Sequence, residues 1–130
     1  MASILKVDTI TGVATAGSIA ITGEGNSTTT NLQQGLAKAF NRGESNAALV
    51  DSSNITSGTD NGTGDYTYAF TNNMNNGSYS VIATCQYANI SSFDHSELTT
   101  ASYNVRIFSR ADSLTNDDAR NCQVVMGDLA

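Results

Sequence analysis

One histidine, two cysteines and a scatter of carboxylates limit the chemistry open to this chain. A Ser-His-Asp triad would have to run through His95, in SFDHSE, and no serine stands in a nucleophile-elbow setting such as GxSxG. A solvated loop histidine is the simpler reading. One histidine and two distant cysteines do not make a zinc site without carboxylates or another chain. Cys85 and Cys122 are therefore expected as small buried hydrophobes, pairing only if their strands prove to be neighbours. Asp94, Glu97, Asp117 and Asp118 could in principle pair for glycoside hydrolysis, but charged loop residues are ordinarily solvated surface. No catalytic, cofactor or metal residue is assigned, and no enzymatic activity is expected.

The stretch DNGTGD, Asp60 to Asp65, offers closely spaced oxygen ligands. It lacks the spacing and distal Glu of a calcium loop, and no Lys follows as in a phosphate loop. Its Asn-Gly step and second glycine are what a tight reversal needs. The Asn-x-Ser/Thr triplets at Asn26, Asn54, Asn61, Asn76 and Asn89 arise by chance in a chain this rich in those residues.

A chain of 130 residues holds one ordinary core. Six Lys and Arg against twelve Asp and Glu, net charge −6, argue against a nucleic-acid partner, whose affinity is mostly cation-driven. Charged residues are 14% of the total, against about 25% in ordinary domains. Without proline or tryptophan and with abundant Ser, Thr, Asn and Gly, this is the balance of a turn-rich β-protein. No run has signal-peptide character or approaches the roughly 18 apolar residues of a membrane span, so the chain is expected to be made without Sec export.

Two parts follow. Residues 1–34 hold two short β-like runs, ILKVDTI and SIAITG, and the polar stretch EGNSTTTN, too little apolar area to fold unsupported. This N-terminal arm must lie on something, a partner chain or a host particle. Residues 35–130 read as a β-sandwich knob of short antiparallel strands. LQQGLAKAF carries both helical spacing (Leu32, Leu36, Phe40) and strand alternation (Leu36, Lys38, Phe40), with Gly35 weakening the helix. It is read as strand, and AALVDSSNI as the next. YTYAF places Tyr66, Tyr68 and Phe70 on one face, and SYSVIATCQY places Tyr79, Val81, Ala83, Cys85 and Tyr87 together. With Asn76-Gly77 between them these two runs read as a hairpin. SYNVRIFSR turns Tyr103, Val105 and Ile107 one way and Asn104, Arg106 and Phe108 the other. NCQVVMGD aligns Cys122, Val124 and Met126.

Two long polar loops remain, ANISSFDHSELTTA and ADSLTNDDAR. Loops beyond about 12 residues without regular structure are usually functional. Tyr87, Phe93 and His95, in or beside the first, suit stacking or anchoring. With Asp94, and with Arg110 and Arg120 at the second, they form the expected receptor-binding set.

DSSNITSGTDNGTGDYTYAF followed by TNNMNNGSYSV resembles a segment in tail fibres of aquatic bacteriophages, especially those of cyanobacteria. There, a DSFNVSSVTDNGTGDYTVNF type of run precedes a Met-containing turn and a Tyr-x-Val strand. GLAKAFN is similar to the preceding GTAKAWVNF strand, and MASILKVDTI and VVMGDLA to the ends of such chains. Ser53 stands where the family has an aromatic, and Phe40 where it has Trp. The resemblance implies a homotrimeric virion protein assembled in the host cytoplasm. Its N-terminal arm would dock on another virion protein, and its knob would meet a host-surface glycan or outer-membrane protein through loops 86–101 and 109–121. A capsid decoration or head-fibre protein is the alternative, favoured by the short chain. Multivalent display would let weak sites gain about 10²- to 10⁴-fold in avidity.

Overall fold

A computed structural model describes residues 6–11, 19–22, 29–87, 89–93, 95–111, 114–117 and 120–127. The chain divides into two units, Met1–Gly35 and Leu36–Ala130. In the first, β1 (Ala20–Thr22) and β2 (Thr29–Asn31) form an antiparallel pair with Ile21 opposite Thr30. A single helical turn, α1 (Leu32–Gly35), follows, its Leu32 N–H bonded to the Ile19 carbonyl. The helical spacing in LQQG thus wins for one turn before Gly35 ends it. ILKVDTI lies partly outside the described residues, and its residues 6–10 form no strand.

In the second unit β3 (Ala37–Gly43), β4 (Leu49–Ser53), β10 (Asn121–Met126) and β7 (Ser80–Cys85) make one sheet, in the order β4-β3-β10-β7. The other is β5-β6-β9-β8, built from β5 (Ile55–Gly62), β6 (Asp65–Phe70), β9 (Ser102–Phe108) and β8 (Ile90–Ser92). All pairings are antiparallel and the two sheets pack as a sandwich. Apart from the one-turn helices, the regular structure among the described residues is all strand.

The tight reversal lies at Thr63-Gly64, joining β5 to β6 with Gly62 and Gly64 at φ +137° and +66°. Those values favour glycine, which is why DNGTGD carries two. The hairpin expected at Asn76-Gly77 does not form, because β6 and β7 belong to different sheets. Gly77 takes no positive φ. The Asn76 side chain instead accepts from the Ser78 N–H at 2.7 Å, and Met74 is buried beneath the crossing. A second crossing, from β4 to β5, turns on Asn54 at φ +57°, whose amide exchanges hydrogen bonds with the backbone of Asn72.

The core follows the alternation of β6 and β9: Tyr66, Tyr68 and Phe70 meet Tyr103, Val105 and Ile107. Ring centroids of Tyr68 and Phe70 lie 5.7 and 5.5 Å from that of Tyr103, within the range of favourable aromatic pairs. Just before β7 Tyr79 is buried, and along it Val81, Ala83 and Cys85 are half-buried, as their shared face predicts, whereas Tyr87 of the same run is exposed. The opposite sheet reverses the usual rule. Its inward positions include Asn41, Asn121 and Gln123, all buried, while Phe40, Val124 and Ile82 face outward in one cross-strand row.

The reason is the tyrosines. Buried phenols need hydrogen-bond partners, and these amides supply them. Tyr68 donates to Asn121 Oδ1 and Tyr103 to Asn41 Oδ1, each at 2.5 Å. Asn41 Nδ2 donates to Gln123 Oε1 at 2.6 Å, and Gln123 Nε2 to Asn121 Oδ1 at 3.1 Å. Gly43 is obligatory beside this network, since a Cβ there would run into the Tyr68 hydroxyl.

The cysteines depart from expectation. Their strands are neighbours, yet Asn121 pairs with Cys85 and Cys122 with Thr84, so the two thiols point to opposite faces. The two form no disulfide with each other, and Cys122 is exposed rather than buried.

Candidate ligand-binding groove

The alternation that buries the tyrosines turns a second set of side chains outward. On β6 these include Asp65 and Thr67, and on β9 Ser102, Asn104 and Arg106. The register sets Asp65 opposite Arg106 and Thr67 opposite Asn104, so the polar pairs stand side by side on the two central strands. Asn61 joins them from β5, and Ser96, Glu97 and Thr99 overhang from the loop before β9. They enclose a groove of about 530 Å³.

Its floor is tied together. Asn104 Nδ2 donates to Asp65 Oδ1 at 2.6 Å, and Asn61 Nδ2 to the same oxygen at 3.1 Å and to Thr67 Oγ1 at 2.8 Å. Arg106 bridges two carboxylates, with Nε 3.4 Å from Asp65 Oδ2 and Nη2 3.2 Å from Glu97 Oε1. Burial alone would raise the Asp65 pKa. Hydrogen bonds from Asn104 and Asn61, with the Arg106 guanidinium, outweigh it and hold the carboxyl below its ordinary value.

The rim is fixed from beneath. Tyr79 donates to the carbonyls of Thr99 and Ser102 at 2.9 and 2.8 Å, and Thr99 Oγ1 caps the Ala101 and Ser102 N–H groups. With the floor and the Thr99–Ser102 rim held in place, little reordering beyond the partly exposed Glu97 side chain is needed to bind.

Two acceptors are left over. Among the described residues, Asn104 Oδ1 and Glu97 Oε2 are buried and receive no hydrogen bond. Asn104 as a whole is 5% exposed. The amide donors of the floor are thus committed internally while two acceptors are left over, which suits a ligand rich in N–H or O–H groups. No group of three or more His, Cys, Asp or Glu side chains capable of holding a metal occurs among the described residues.

The residues expected to bind a receptor are spread more widely. Tyr87 is 80% exposed at φ +63°, just past β7. Gln86 N–H bonds the Arg120 carbonyl at 2.9 Å, which brings Tyr87 and Arg120 to the same end of the sandwich. Arg110 is exposed in the turn after β9. Phe93 is half-buried against the core, a packing position. His95 opens the 3-10 turn His95–Glu97, and Asp94 lies outside the described residues, as does Asp118.

The first long loop is less irregular than expected, since it contains β8 and that 3-10 turn. The second folds back on β9 through Asn116 N–H to the Ile107 carbonyl, and Asp117 Oδ1 accepts from Gly64 N–H and the Tyr66 hydroxyl. Asp117 thus clamps the hairpin turn. The groove residues Asn61, Asp65, Thr67 and Asn104 were not singled out by spacing. The signal available was an outward face of β6 and β9 carrying a carboxylate, an amide and a guanidinium. Comparison of the chain with protein-family models, curated proteins and solved structures finds no match.

Proposed function

We propose that this chain is a non-enzymatic virion protein of a bacteriophage, a tail fibre whose N-terminal unit docks on another virion protein and whose sandwich binds the host-cell surface. The observation that carries the binding role is the preorganised groove with two unanswered acceptors. The resemblance of DNGTGDYTYAF and its flanks to tail-fibre segments supplies the setting. The first unit supports a docking role, since Val7, Ile10 and Ile21 are exposed, the last of them on a two-stranded pair. Such a pair is marginal in water and gains by lying on a partner.

The homotrimer has its own support in the outward row Phe40, Val124 and Ile82, the last 62% exposed. An exposed apolar row across a sheet face is the kind of surface an oligomer buries. Ile82→Lys is expected to shift the sedimentation of the purified protein from trimer toward monomer; a wild type that sediments as monomer at all concentrations removes the trimer from the proposal.

The deciding experiment labels intact particles with an antibody against residues 36–130. Label at the tail tip is the expected result. Label over the capsid would replace the fibre with a decoration or head-fibre protein, and unlabelled particles would end the virion reading.

A further inference from the structure

We propose that the groove on the outer face of β5, β6 and β9 is a subsite for an uncharged saccharide, held edge-on through adjacent hydroxyl groups that donate to Asn104 and Glu97. This deepens the receptor-binding reading above and rests on it for its biological setting.

Asn104 Nδ2 is spent on Asp65 and Asn61 Nδ2 on Asp65 and Thr67, while Asn104 Oδ1 and Glu97 Oε2 accept nothing among the described residues. A buried acceptor without a donor is costly, and a ligand that brings the donor recovers that cost. A ligand that satisfies both must donate at two points of the groove.

Charge narrows the class. Among the described residues, Asp65 and Glu97 bring two formal negative charges against the one positive charge of Arg106, a net −1 at the groove in a chain of net −6. Uronic and sialic acids would meet repulsion. A cationic amine would compete with Arg106 for both carboxylates. Vicinal hydroxyls of a neutral hexose or N-acetylhexosamine satisfy the acceptors without either conflict.

Shape narrows the pose. Among the described residues no aromatic side chain lines the groove, and the ring enters by its edge. Glu97 yields to admit it, since its side chain is 37% exposed and is held by a guanidinium contact that is weak at this exposure. A site of this kind binds at millimolar strength and depends on several copies for avidity.

The test uses the full chain labelled with ¹⁵N and follows the side-chain amide resonances of Asn61 and Asn104. It is titrated separately with the methyl glycosides of glucose, galactose, mannose and N-acetylglucosamine, with trigalacturonate and with glucosamine. At least one neutral glycoside is expected to shift both amides, with trigalacturonate and glucosamine at least tenfold weaker. Glu97→Gln, which turns an acceptor into a donor, should weaken the response of both amides tenfold, and Asn61→Ala, at an exposed position, should weaken that of Asn104 tenfold, with the backbone spectrum otherwise unchanged. Amides that stay still with all four neutral glycosides would overturn the inference. So would equal binding of either charged probe, full response in both variants, or shifts confined to the Tyr87 and Arg120 end. Still amides together with antibody label at the tail tip would reject the subsite and keep the fibre; a responsive groove on a protein absent from particles would do the reverse.

Discussion

Strands β6 and β9 carry two polar clusters, one on each face, and the two are finished differently. Inside the sandwich, Tyr68 and Tyr103 deliver hydroxyls to Asn41, Asn121 and Gln123, and every side-chain polar atom of the set has a partner. Outside, Asp65, Thr67, Asn104 and Arg106 are linked just as closely, yet Asn104 Oδ1 and Glu97 Oε2 remain unanswered. A closed network in a low-dielectric interior fixes one arrangement of the sheets. An open one at the surface keeps binding capacity in reserve. The same alternation of residues thus separates architecture from recognition by one layer of backbone.

The comparison breaks most readily at the inner cluster. Tyr103→Ala removes a fully buried ring that touches Tyr68 and Phe70, and leaves Asn41 Oδ1 without its donor. A loss of about 3–5 kcal/mol in urea unfolding is expected. A loss below about 1 kcal/mol would mean that the inner cluster holds nothing together.

High pH attacks the same cluster. Burial raises the phenol pKa of Tyr68 and Tyr103, and pushes that of Tyr79 from 10.0 up to about 12. The unfolded chain ionises these groups first, so the stability they confer is intact below pH 10 and is lost as pH rises toward the folded values. Phenolate absorbance of these tyrosines should appear together with unfolding, and ionisation within a folded protein at pH 10 would contradict their burial. A finer cut is Tyr68→Phe. It keeps the ring and leaves Asn121 Oδ1 with the Gln123 donor alone, for an expected cost of about 1 kcal/mol.

How far this was legible depended on where apolar residues alternate. In YTYAF and SYNVRIF the inward face is aromatic or branched, and the period of two reads directly. In AKAFNRG and NCQVVM it misleads, because the inward residues are Ala39, Asn41 and Gly43, and Asn121, Gln123 and Val125, while Phe40 and Val124 face out. The partners of buried phenols are polar by necessity, and that demand originates in the opposite sheet. The Asn76-Gly77 hairpin failed for a related reason. A favourable dipeptide permits a reversal, but the tyrosines on both flanking runs are better buried from opposite sheets than from one. The groove gathers residues from Asn61 to Asn104, and only the pairing of β6 with β9 and the overhang at Thr99 bring them together.

The smallest expected effect isolates the outer cluster. Asp65 holds its proton less tightly than an ordinary carboxyl of pKa 3.8. Its ionised form therefore contributes stability above that value, and the contribution is lost as pH falls through the lower folded pKa. Asp65→Asn should flatten the acid limb of the stability profile while costing less than about 1 kcal/mol at neutral pH, since the pair with Arg106 is partly exposed. The neutral amide still accepts one hydrogen bond but no longer draws Arg106 toward the floor, so Glu97 keeps the guanidinium to itself. Sugar response should fall in that variant even though the fold is kept. An acid limb as steep as wild type would place the acid sensitivity elsewhere. A loss as large as that of Tyr103→Ala would show that the outer cluster also supports the sandwich, and the division between the two faces would fail.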